Sequence, residues 1–145
     1  MKRPAIVAAG LVLVTICGLG QTGPGTGDEI ARILSLQKSA WNNGDIEGFM
    51  AYYMKSDGIT FQSGNSRISG WETVLTRYRT NYAPGNMGRL DFTDLAVNIL
   101  SDDAAYVLGR FKLDIGGEHR EGVFTLILRK TGEGWRIVHD HTSSE

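Results

Sequence analysis

Cysteine is nearly absent, with Cys17 alone among 145 residues. It ends an apolar run, Ala5 to Ile16, that follows Lys2 and Arg3 and precedes Gly18 and Gly20, the order of a secretory leader. Cleavage after Gly20 leaves a mature chain without a thiol, which excludes disulfides, thiolate metal sites and a cysteine nucleophile. The run also falls short of the roughly 20 apolar residues that span a bilayer. We therefore expect residues 1–20 to be a signal peptide and the protein to be exported, periplasmic or secreted. Membrane attachment would require a retained leader or a lipidated Cys17, and Ile16 is bulkier than the residues that normally precede a lipidated cysteine.

Basic charge is also lacking. Without Lys2 and Arg3 the basic residues fall from 15 to 13 against 16 acidic ones, a net charge of −3. A binder of phosphate backbones needs a Lys/Arg excess gathered on one face, and these charges are interspersed, so no nucleic-acid partner is expected. No glycine-rich loop opens a helix after a strand, and there is neither a nucleophile elbow nor a His-Glu-x-x-His helix. We expect no cofactor.

What is present is a globular composition, 41% hydrophobic and 21% charged, at a length that suits one domain. Gln21 to Gly27 reads as a linker, and 28–145 as the domain. Thr26 and Glu29 have capping-box spacing, and Ile30, Ile33, Leu34 and Trp41 then share a helical face that stops at Asn42-Asn43-Gly44. Asp45 can cap a second helix carrying Ile46, Phe49, Met50 and Tyr53. A short strand, Ile59 to Gln62, precedes a third helix with Trp71, Val74, Leu75, Tyr78 and Tyr82 on one face, capped by Ser69 with Glu72 and stopped at Pro84-Gly85.

Four long strands follow. Apolar residues at Leu90 and Phe92 and then at Leu95, Val97 and Ile99 slip the period of two near Thr93-Asp94, which predicts a bulge that curls the sheet. Gly116-Gly117 reads as a two-residue hairpin loop, setting Asp114 opposite His119, Lys112 opposite Glu121 and Gly109 opposite Phe124. One face then carries Ala105, Val107, Gly109, Phe111, Leu113, Phe124, Leu126 and Leu128. The other, mixed face carries Tyr106, Leu108, Arg110, Lys112, Thr125 and Ile127.

A two- or four-residue turn between Thr131 and Gly134 extends this alternation into the last strand. Trp135, Ile137, His139 and His141 then point to the apolar side, and Arg136, Val138, Asp140 and Thr142 away from it. On this register His139 and His141 are the candidate polar end of a pocket whose walls would come from Phe124, Phe111, Tyr53, Trp71 and Tyr78. The histidines read equally as satisfied structural side chains, and the aromatics as core. Two histidines spaced by one residue can chelate, but no third ligand falls on their face, so no metal is expected. Asp140, on the mixed face, would pair with Arg110.

The order helix, helix, strand, helix, four strands carries several segments that resemble one superfamily. They are Trp41-Asn42-Asn43-Gly44-Asp45, Gly70-Trp71 through Tyr78-Arg79, Val107-Leu108-Gly109-Arg110, Gly122-Val123-Phe124-Thr125-Leu126 and Trp135 to Ser143. The chain resembles the SnoaL-like, nuclear-transport-factor-2-like superfamily, in the branch near the association domain of calcium/calmodulin-dependent kinase. The resemblance implies an α+β fold of cystatin-like type, a cone-shaped curved antiparallel sheet packed on three N-terminal helices, and a homodimer through the outer sheet face. Such proteins include isomerases, polyketide cyclases, dehydratases and noncatalytic binders, so fold cannot choose among them. A ketosteroid-type isomerase needs a pocket aspartate, and this register leaves Asp140 outside. The expectation is an exported small-molecule-binding protein. Its alternatives are an isomerase, cyclase or dehydratase using a pocket histidine as acid/base, and a noncatalytic dimerisation module.

Overall fold

Trp41 and Asn42 tie the end of the first helix to the start of the long sheet. In the computed structural model, which describes residues 25–144, helix α1 (Thr26–Asn42) buries Ile30, Leu34, Gln37 and Trp41. Trp41 Nε1 donates to the Met87 carbonyl at 3.0 Å, while Asn42 exchanges hydrogen bonds of 2.9 and 2.7 Å with the backbone of Leu90. The expected leader and Cys17 lie outside the described residues. The helix is capped one residue earlier than the sequence predicts, at Gly25, whose N–H meets the Asp28 carboxylate at 3.3 Å.

Asp45 caps α2 (Ile46–Met50) as expected, accepting from Gly48 N at 2.8 Å. The helix ends before Tyr53, which instead lies in an extended segment beside Ile137, with Met54 N bonded to Ile137 O and Ile137 N to Tyr52 O, both at 2.9 Å. β1 (Thr60–Ser63) turns at Gly64-Asn65 into β2 (Ser66–Ser69), a strand the sequence reading missed because it is short, polar and mostly exposed. α3 (Trp71–Asn81) starts from Gly70 at φ 91°, a left-handed value that favours glycine, with no side-chain cap from Ser69.

The remaining strands are β3 (Arg89–Ser101), β4 (Ala104–Ile115), β5 (Glu118–Thr131) and β6 (Gly134–Ser144). The sheet runs β2-β1-β6-β5-β4-β3 and is mixed, because β1 lies parallel to β6 while its other pairings are antiparallel. The predicted bulge stands in β3, where the register with β4 shifts after Thr93 and Asp94 takes φ 52°. The β4–β5 hairpin has the predicted register, and Ala105, Val107, Leu113, Phe124, Leu126 and Leu128 are buried beneath the helices. Gly109 has no side chain because a Cβ there would collide with the Phe124 ring.

Candidate functional site

β6 carries a second bulge, and it reverses the face assignment of the strand's last half. The turn after Thr131 is two residues long, and Lys130↔Trp135 and Leu128↔Ile137 pair as expected. Ile127 then pairs with His139, leaving Val138 as the extra residue. Beyond it Leu126 faces Asp140 and Phe124 faces Thr142, so the aspartate and threonine join the buried face. His139 and His141 pair with Ile127 and Thr125 and share their outer face. The expectation that the histidines look inward and Asp140 outward is therefore corrected, and with it the Arg110–Asp140 pair. His139 Nδ1 instead meets Thr60 Oγ1 at 2.6 Å.

Asp140 sits at the closed end of a cavity of about 200 Å³ between α1, α2, α3 and the sheet. Phe49, Phe61, Phe92, Phe111 and Phe124 give it an apolar body, with Trp41 and Tyr82 stacked edge to face at 4.7 Å on one wall. The parallel pairing of β1 with β6 sets Phe61 beside Asp140 and Ser63 beside Thr142, so four cavity residues come from one strand contact. Among the expected pocket residues, Phe124, Phe111, Tyr53 and Tyr78 line this cavity. Trp71 does not, since its Nε1 donates to Met50 O at 3.0 Å and its ring borders a separate surface groove beneath Lys55.

The buried end is a chain of hydroxyls around one carboxyl group. Tyr53 Oη donates to Asp140 Oδ2 at 2.6 Å, and Thr142 Oγ1 to Oδ1 at 2.7 Å. Asp140 is 4% exposed and has no lysine or arginine within salt-bridge distance among the described residues. Burial pushes its pKa above the ordinary carboxylate value, and the two hydroxyl donors hold it back only in part. Tyr53 and Tyr78 are pushed well above the ordinary phenol range, first by burial and then by the charge of Asp140. A carboxyl group so placed can accept a hydrogen bond when ionised, donate one when neutral, or move a proton.

Sequence reasoning missed Asp140, Thr142, Gln37 and Arg77, all of which line the cavity. A signal for the first two existed in Ile137-Val138, adjacent apolar residues that break the period of two as Thr93-Asp94 does. No cluster of metal-ligating side chains occurs among the described residues.

The sequence model of the SnoaL-like domain matches residues 31–144. A solved nuclear-transport-factor-2-like protein of unknown function from Shewanella oneidensis superposes with TM-score 0.77 at 35% identity, covering 80% of this chain and 97% of its own. The putative calcium/calmodulin-dependent protein kinase II association domain from Xanthomonas campestris is similar at TM-score 0.68 and 16% identity, over 84% of this chain and 89% of its own. A putative ketosteroid isomerase from Parabacteroides distasonis follows at TM-score 0.63 and 19% identity, over 78% and 85%. No curated protein matches the chain.

Proposed function

The chain belongs to the SnoaL-like domain family, and from that premise we propose that it is a small-molecule-binding domain whose cavity takes a compact, largely apolar ligand and fixes its polar group at Asp140. The observation that carries this reading is the buried carboxyl group of Asp140, held by Tyr53 and Thr142 at the end of an otherwise aromatic cavity. Burying a carboxyl group without a cationic partner costs stability, so a position that serves packing alone would be better filled by an apolar residue. An apolar pocket with a few convergent polar groups is the usual form of a small-molecule site.

A second reading makes the same residue the acid/base of an isomerase, cyclase or dehydratase. The upward shift of Asp140 favours it, because a carboxyl group poised nearer neutrality exchanges protons more effectively. Native mass spectrometry of protein purified from its own host tests the binding reading by finding a ligand without presuming its class. Turnover of that ligand by wild type and Asp140→Asn separates the two, since loss of turnover with binding retained marks the enzyme.

Export and dimerisation belong to the same proposal. The leader-like order of Lys2, Arg3, Ala5 to Ile16 and Gly18 to Gly20 supports export. Among the described residues no helix is long and apolar enough to cross a membrane. The exposed Leu108, Val123 and Ile127 on the outer sheet face support a homodimer through that face.

A further inference from the structure

We infer that the ligand is an organic anion, oriented with its acid group between Arg77 and Arg120 at the cavity mouth and its neutral polar group at Asp140; this rests on the binding reading above. Both arginines line the cavity, Arg120 exposed at its rim and Arg77 half-buried beside Phe61. The mouth is recognisable by exposure: Arg120, Asn81 and Ser144 are exposed where Tyr53, Trp41 and Asp140 are buried. Ser144 ends β6, Arg120 lies near the start of β5, and Arg77 and Asn81 lie one turn apart on α3.

Arg77 is the better placed of the two arginines to meet an anion. Its side chain is half-buried, and its guanidinium lies over the Phe61 ring at 5.5 Å from the centroid. No carboxylate among the described residues reaches it within 4 Å. A guanidinium placed over an aromatic ring and paired with no carboxylate has donors left for a carboxylate or a similar oxyanion. Arg120 holds Glu118 at 2.7 Å, which aims the side chain while satisfying only part of its fork.

Orientation follows from the charges at the two ends. Two guanidinium groups attract an anion to the mouth, and the Asp140 carboxylate repels it from the floor. The stretch between is apolar, bounded by Phe61, Phe92 and Phe111. A short aryl or alkyl acid bearing a hydroxyl or carbonyl at its far end fits both ends at once.

The test measures binding of matched pairs, hydroxyaryl and hydroxyalkyl carboxylic acids and their primary amides, to the wild-type protein by calorimetry and NMR. The acids are expected to bind about tenfold or more tightly than their amides at low salt, with shifts at Arg77, Phe61 and Asp140. Arg77→Gln should bring the acids down to the amides' affinity and leave the amides unchanged, and Arg77→Lys should fall between. Amides that bind in the cavity as well as the acids would overturn the anion inference and leave the binding reading standing. An acid preference that survives Arg77→Gln with Arg120→Gln would also overturn it. If no member of either series enters the cavity, the anion inference falls, and the native mass spectrum of protein from its own host decides the binding reading separately.

Discussion

Tyr53 and Asp140, 87 residues apart in sequence, share a 2.6 Å hydrogen bond at the closed end of the cavity. Tyr53 arrives on the extended segment that follows α2 and pairs with Ile137, three residues before the aspartate. A single additional residue, Val138, then turns Asp140 toward it. The site is thus made where a short parallel contact meets a bulge.

Replacing Asp140 by Asn keeps an acceptor for Tyr53 and removes a buried charge. We expect Asp140→Asn to stabilise the fold by about 1–3 kcal/mol at neutral pH. The pH dependence follows from the raised pKa: above 3.8 the unfolded chain loses the Asp140 proton while the folded chain still holds it. Stability contributed by that proton is full below 3.8 and is lost as pH rises through the folded value. Urea titrations across this window should show the decline in wild type and its absence in the variant. His119, raised by Asp114, adds a decline above about 6.5 that both proteins share.

Tyr53→Phe deletes the donor and leaves the carboxyl group with Thr142 alone. A cost of about 1–2 kcal/mol is expected, with the Asp140 pKa moved further upward. Denaturation and carboxyl-selective NMR titration measure the two effects.

The β4–β5 hairpin was legible because Gly116-Gly117 fixes a loop length and the facing pairs test it: Asp114 meets His119, and Gly109 meets Phe124. The β3 bulge was legible as a slip of the apolar period at Thr93-Asp94. The parallel pairing of β1 with β6 leaves no such local trace, since it joins residues about 80 positions apart that no turn links. The β6 bulge was misjudged because Ile137 and Val138 are both apolar, and either could continue the buried row. Two histidines then made as plausible an inner face as an aspartate and a threonine. Phe111 and Phe124 were found by strand alternation and Tyr78 by helical spacing; Asp140 was lost with the parity of one strand.

The histidines should behave as outer-face residues. His139→Ala loses the 2.6 Å contact with Thr60 and should cost about 1 kcal/mol, measurable by urea denaturation. His141→Ala should cost less, within about 0.5 kcal/mol of wild type.

On the outer face, Leu108→Lys with Ile127→Glu puts charge where both side chains are exposed, at 44% and 40%. Light scattering is expected to find wild type dimeric at micromolar concentration and the double variant monomeric, with its helices and sheet intact by circular dichroism. A wild-type monomer under those conditions would contradict the dimer proposal.

Native mass spectrometry of wild type, Asp140→Asn, His139→Ala and His141→Ala, each purified from the same host, bears most directly on the role of Asp140. The expected result is a small-molecule adduct on wild type and on both histidine variants, with occupancy reduced about tenfold or more in Asp140→Asn. An adduct that survives Asp140→Asn and disappears with His139→Ala or His141→Ala, or a wild-type protein with no adduct at all, would contradict it.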